Sequence, residues 1–243
     1  DLTGIASAIE ISDAGIAAPR TLSVSAGADV TISGALADDL IFNADDSDAD
    51  TTLSVDVNVT LTEDIDNAAG SELTFVGAAG ADAITTATIT IEAEQTDLLL
   101  DAGDTTVTLL GSEALRFDVG NAAVDVAELN ASGYTGAITG VIGAITASTG
   151  SGADYLRVNT TSSDLNLSMG LGNDILLVGG AITGTVDGGS GTDTLDLVAS
   201  QDVSGATLTS IEVFALDNGE TITVTDDQVH QQGIVITATG AGV

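Results

Sequence analysis

Apolar and polar residues alternate with a period of two along much of the chain, the pattern of a strand with one buried face. Leu22 and Val24 alternate with serines, a turn follows at Ala26-Gly27-Ala28-Asp29, and Val30 and Ile32 resume the alternation. The clearest run is Leu53, Val55, Val57, Val59 and Leu61, with Asp56, Asn58, Thr60 and Thr62 on the wet side. Strands are then predicted at Thr88 to Ile91, Leu98 to Leu100, Val107 to Leu110 and Leu115 to Val119, about every nine or ten residues. Turns are expected between them at Glu94 to Thr96, Ala102 to Thr105 and Gly111 to Glu113. That rhythm predicts a stacked β architecture throughout.

Some stretches depart from it. Residues 1 to 20, with the only proline at Pro19, are poorly patterned and read as a lead-in or a packed cap. Asp45 to Asp50 is acidic and reads as an exposed turn. It lacks the glycine and flanking helices of an EF-hand loop. Asn121 to Leu129 admits one helical turn. Ile138, Ile142 and Ile145 lead into the central region. Leu208, Ile211, Val213, Phe214 and Leu216 continue the β pattern beyond it, to a tight turn at Asp217-Asn218-Gly219. Thr225 to Gly233 predicts a short helix capped by Thr225, with acids in its first turn and a stop at Gly233; a strand at Ile234 to Thr237 follows.

The central region carries the strongest signal. Gly150-Ser151-Gly152-Ala153-Asp154, Gly170-Leu171-Gly172-Asn173-Asp174 and Gly189-Ser190-Gly191-Thr192-Asp193 are three copies of Gly-x-Gly-x-Asp, each followed by aliphatic residues at strand spacing. Their aspartates lie 20 and 19 residues apart, near the length of a rung of two strands and two turns. The third copy, from Gly188, matches the nonapeptide whose stacked copies build a calcium-binding β-roll. Gly77 to Ile84 is a degenerate form of the same turn. Glycine admits backbone angles that let successive carbonyls converge, and calcium takes about six to eight oxygens. One loop offers too few, whereas two loops a rung apart can share an ion.

These turns resemble the RTX, or hemolysin-type calcium-binding, repeats of secreted bacterial proteins. The texture of the whole chain resembles the β-solenoid of RTX-type surface-layer (S-layer) proteins, in phrases such as Leu129-Asn130-Ala131-Ser132-Gly133-Tyr134-Thr135-Gly136. The clear motifs cover about a fifth of the chain. The resemblance implies an all-β, right-handed parallel β-solenoid, or β-roll, with stacked Gly-Asp calcium loops. It implies calcium (Ca2+) ligands at Asp154, Asp174 and Asp193 and in the loops of Gly150, Gly152, Gly170, Gly172, Gly189 and Gly191, with Asn173 able to offer a further oxygen. The regular family period is about 18 residues, two nonapeptides, so residues are expected to bulge out near Thr160 to Ser163 and Gly179 to Gly184. Three regions follow: a solenoid-like part at 1–145, the calcium β-roll at 146–198, and terminal rungs with the short helix at 199–243.

Composition sharpens this picture. The 243 residues are 44% hydrophobic but only 2% aromatic, with 29 glycines, which suits a narrow stacked core of aliphatic side chains. The net charge is −34, with arginine only at 20, 116 and 157 and no lysine. That argues against a nucleic-acid partner, which requires cationic contacts to phosphate, and against adsorption to anionic lipid. Such carboxylate density repels itself unless cations or high salt offset it. No apolar run is long enough for a membrane span, and without cysteine neither disulfides nor thiolate sites exist. A start at Asp1 without methionine reads as a processed product or a fragment.

No catalytic constellation is expected. His230 is the only histidine and reads as a surface residue, and no Gly-x-Ser-x-Gly elbow occurs. Two Tyr, four Phe and no Trp are too few to line the sugar groove of a polysaccharide-active solenoid enzyme. Thr-x-Thr pairs at Thr88/Thr90, Thr106/Thr108 and Thr223/Thr225 read as exposed strand faces rather than an ice-binding ladder. Asn-x-Ser/Thr sequons at Asn58, Asn130, Asn159 and Asn166 carry little weight in a bacterial protein. The expected function is structural: an extracellular protein of the bacterial cell surface that self-assembles, calcium-stabilised, into a surface layer or filament. Its partners are further copies of itself and, as a second candidate, cell-surface polysaccharide. The alternatives are the stalk of a large RTX adhesin and a polysaccharide-active enzyme.

Overall fold

The computed structural model describes residues 9–11, 20–24, 28–33, 36, 39–44, 54–65, 72–76, 83–117, 125–142, 146–158, 162–217, 219–230 and 234–239. In chain order the strands are β1 (Ile9–Ile11), β2 (Arg20–Val24), β3 (Ala28–Ile32), β4 (Leu40–Ala44), β5 (Ser54–Leu61), β6 (Glu72–Val76), β7 (Ala83–Ile91) and the long β8 (Gln95–Gly111). They continue as β9 (Leu115–Phe117), β10 (Asp125–Asn130), β11 (Ile138–Ile142), β12 (Thr146–Ser148), β13 (Tyr155–Val158), β14 (Ser162–Ser168), β15 (Ile175–Val178), β16 (Ile182–Asp187) and β17 (Thr194–Leu197). The last elements are β18 (Gln201–Asp202), β19 (Ala206–Thr209), β20 (Val213–Asp217), β21 (Ile222–Thr223), the helix α1 (Asp226–His230) and β22 (Val235–Thr239).

Most strands pair with the next but one, and every pairing is parallel; the long β8 also pairs with its immediate neighbours β7 and β9, and the short β18 and β21 form a small pair of their own. One ladder runs β1, β3, β5, β7, the C-terminal part of β8, β10, β12, β14, β16 and β19. The other runs β2, β4, β6, the N-terminal part of β8, β9, β11, β13, β15, β17, β20 and β22. A chain that alternates between two parallel ladders is a β-solenoid, and each circuit is a strand, a corner, a strand and a corner. Rungs stack about 4.8 Å apart.

Period-two alternation decides which side chains lie between the ladders. Leu129, Ala147, Leu167, Val186 and Leu208 are in register on the first ladder and buried. Leu156, Leu176, Leu195 and Phe214 face them from the second. Because equivalent positions stack, small and aliphatic residues suffice, and each buried one contributes about 1.5–3 kcal/mol. Phe42 and Phe75, one rung apart, stack with ring centroids 5.0 Å apart. The wet side of β5 is as expected: Asp56 and Asn58 are exposed while Val57, Val59 and Leu61 are buried.

The structure differs from the sequence expectations in places. No turn interrupts 102–105: β8 is extended throughout and passes from one ladder to the other, pairing with β6 through Leu99 to Asp101 and with β7 from Thr106 onward. The described part of 121–129 is strand, held on both sides by β8 and β12, so sheet pairing overrides local helical preference. Of the two expected bulges, the pairing shows the first, in β14, and no register shift in the pairing of β16 with β19. Between Ser162 and Leu165 the pairing partners are Ile182 and Gly184, so β14 carries one extra residue. The acidic turn at 45–50, the degenerate turn at 77–82 and Gly233 lie outside the described residues.

Helix α1 begins with a capping box. The Thr225 hydroxyl accepts the Gln228 N–H at 3.2 Å, and Gln228 Oε1 accepts the Thr225 N–H at 2.7 Å. The Gln228 amide nitrogen donates to the carbonyls of Val203 and Ala206, which fastens the helix beside β19. His230 is exposed, its imidazole next to Asp226. No helix among the described residues is long and apolar enough to cross a membrane.

Candidate metal centre

The three Gly-x-Gly-x-Asp loops occupy one corner of successive rungs, where the chain leaves β12, β14 and β16 for β13, β15 and β17. Strand register fixes one position of this corner in a column. Upstream it holds Gln95, Leu115 and Ile138. Asp154, Asp174 and Asp193 follow, and Glu212 closes the run.

In the upstream rungs the main-chain N–H of this column goes to a carbonyl of the next rung, from Gln95 to Ala114 and from Leu115 to Ala137. In the aspartate rungs a carboxylate takes that place. Ile138 N–H donates to Asp154 Oδ1 at 2.8 Å, Asp154 N–H to Asp174 Oδ1 at 2.7 Å and Asp174 N–H to Asp193 Oδ1 at 2.9 Å. Asp193 N–H donates to Glu212 Oε2 at 2.8 Å. The carbonyls of Ala153, Asn173 and Thr192, which hold the place of Ala137, do not take these N–H groups.

All three aspartates are 1% exposed, and each uses only one oxygen this way. Asp154 Oδ2, Asp174 Oδ2 and Asp193 Oδ2 are buried with no hydrogen-bond partner. Burial raises the Asp154 pKa and the Thr149 hydroxyl beside the carboxylate acts to lower it, but that hydroxyl's single proton goes to the Met169 carbonyl at 2.6 Å. Gln95 provides an internal comparison, because it is buried in the same column and its Oε1 likewise accepts Ile65 N–H, at 3.1 Å. Its other head atom is a donor, however, and Nε2 gives hydrogen bonds to the carbonyls of Glu63 (2.9 Å) and Ala93 (3.1 Å). An aspartate cannot donate, so what Gln95 satisfies with an amide needs a proton or a cation at the aspartates.

Electrostatics agrees. Burial is the largest cause in each case and pushes all three carboxyls above their ordinary range. Asp174, with Asp154 and Asp193 on either side, is pushed up to about 7. Glu212 and Asp187 add to the shift of Asp193. An unpaired buried carboxylate costs several kcal/mol, which a stack of three amplifies.

The loops bring oxygens together. Gly172 and Gly191 have φ of 141° and 147°, a region closed to side chains. A Cβ on Gly172 would lie 2.1 Å from the Gly152 carbonyl oxygen, and one on Gly191 only 1.5 Å from that of Gly172. Gly170 and Gly189 match each other at 85° and 92°, and Leu171 bridges Ser190 between the two loops. The second and third loops therefore share one backbone form. The first does not: Gly150 and Gly152 are not left-handed, although a Cβ on either would meet the Tyr134 or Gly136 carbonyl. Asn173 Oδ1 accepts the Thr192 N–H at 2.9 Å and ties the second loop to the third.

Among the described residues no three His, Cys, Asp or Glu side chains group closely enough to hold a metal by themselves. A cation at this corner would have to draw on main-chain as well as carboxylate oxygens, the kind of donor set that a hard cation such as calcium takes. The orphaned Oδ2 atoms and the openings that glycine leaves fit such an ion. The column positions of Gln95 and Glu212 escaped the sequence motif, since neither rung has its glycines; the register alone reveals them. No family model matches the chain, and neither a curated protein nor a solved structure matches it.

Proposed function

We infer that this solenoid is an RTX-type, calcium-dependent structural element of an extracellular bacterial surface, which self-assembles into a layer or filament. The observation that carries the reading is the column of buried Oδ2 atoms on Asp154, Asp174 and Asp193, each without a partner. Calcium held there by these carboxylates and by carbonyls of the Gly150, Gly152, Gly170, Gly172, Gly189 and Gly191 loops supplies positive charge where the fold is least able to tolerate its own. The protein's residues do the positioning: glycines open the corner, Oδ1 atoms fix the aspartates to the preceding rung, and Asn173 couples two loops.

The wider chain supports an assembly role. With a charge of −34, copies repel one another unless cations intervene. Among the described strands β22 pairs with β20 alone, and it presents Val235 and Ile236, 55% and 58% exposed, a place for a further copy to add. Cell-surface polysaccharide is the second candidate partner.

A chelator titration followed by circular dichroism and light scattering tests the reading. Loss of β signal and of large particles together is the expected result; an unchanged spectrum and particle size rejects it. Imaging distinguishes ordered sheets or fibres from the isolated rods of an adhesin stalk.

A further inference from the structure

The corner after the last glycine motif contains neither the glycines nor the aspartate of the repeat, yet it has the same construction. Glu212 stands in the column and its Oε2 accepts the Asp193 N–H at 2.8 Å, as Asp174 does for Asp154. Ser210 has φ of 53° and is the only non-glycine residue in the left-handed region among the described residues. A serine there is strained, and the turn aims its carbonyl back at the preceding rung. The target is Gly188. A Cβ on Gly188 would lie 2.0 Å from the Ser210 carbonyl oxygen and 2.9 Å from Asp193 Oδ2. The Ser210 carbonyl oxygen and the Asp193 side chain, whose Cβ is 2.7 Å from the same point, therefore both lie against the bare face of Gly188, and the carboxylate oxygen there is buried and without a partner. Glu212 and Asp187 place further negative charge beside it.

We propose that Asp193 Oδ2, the Ser210 carbonyl and Glu212 form an additional calcium site that closes the ion column one rung beyond the recognisable repeats. The inference rests on the calcium reading of the aspartate column and extends it to a rung with no motif. Glu212 neutralises the cation's charge while bracing the Asp193 loop, and Ser210 holds the left-handed form because its carbonyl is a ligand. The site gives the array a defined end before helix α1.

Native mass spectrometry of the chain in calcium tests this, with Glu212→Gln as the variant. Glutamine keeps an oxygen for the Asp193 N–H and loses the charge, and Gln95 already shows an amide accommodated in this column. The expected result is one bound ion fewer in the variant than in the wild type. Equal, non-zero counts overturn the proposal and leave the aspartate column intact, whereas a wild-type chain that binds no calcium overturns both. Terbium-soaked crystals of the wild type give a reading independent of folding in the variant. Anomalous density touching Asp193 Oδ2 and the Ser210 carbonyl supports the site; density at the other loops alone overturns it.

Discussion

Asp174 Oδ1 accepts the main-chain N–H of Asp154, one rung away, at 2.7 Å, while Asp174 Oδ2 has no partner at all. One carboxylate thus performs a structural task and leaves another atom in need. Asp174→Asn keeps the acceptor and replaces the orphaned oxygen with a donor, as at Gln95. In chelator the variant should be more stable than the wild type by about 1–3 kcal/mol, the cost of an unsatisfied buried group. In calcium the order should reverse. Paired thermal melts with and without the ion check both signs.

Glycine in the loops is required for space as well as for backbone angle. Gly191→Ala forces a Cβ to 1.5 Å from the Gly172 carbonyl at a φ of 147°. Gly219→Ala meets nothing within 4 Å at a φ of 89° and suffers backbone strain alone. Gly219→Ala should cost about 1 kcal/mol and Gly191→Ala at least twice that, read as urea midpoints.

Acid should stabilise the calcium-free protein. Burial raises the carboxyls of Asp154, Asp174, Asp193, Asp196 and Glu72 in the folded state. A carboxyl whose folded pKa lies above its unfolded value contributes stability that is complete below the unfolded value and is lost as pH rises through the folded one. For Asp174 that window runs from about 4, the unfolded value, up to about 7. In chelator the melting temperature should fall across this range. In saturating calcium the fall should vanish or invert, because ligation needs the deprotonated form. Melts at several pH values decide it.

Gln95→Leu separates the two halves of the column. It removes the acceptor of the Ile65 N–H and both donors to the Glu63 and Ala93 carbonyls. Each buried group left unsatisfied costs about 1–3 kcal/mol, so a loss of several kcal/mol is expected. Calcium should restore none of it, which denaturant titrations in calcium and in chelator will show.

Much of this was legible in residue order. Period-two alternation in 53–61 and the spaced aliphatic runs predict stacked strands, and the glycine spacing singles out Asp154, Asp174 and Asp193 before any coordinates. The rest depends on register, which a local pattern does not carry. Gln95 and Glu212 belong to the aspartate column only because the second ladder aligns them with it. The Gly103-Asp104 pair resembles a turn, yet pairing with β10 at Gly103 keeps β8 extended. Ser210 carries no local signal, since its left-handed backbone is unusual for a serine and follows from what surrounds it.

Amide hydrogen exchange, resolved along the column in calcium and in chelator, tests the central claim most directly. A cation locking the rungs predicts that the Asp154 and Asp174 N–H groups exchange slowly in calcium and much faster without it, while those of Gln95 and Leu115 hardly change. Identical protection of Asp154 and Asp174 in both conditions would contradict the account.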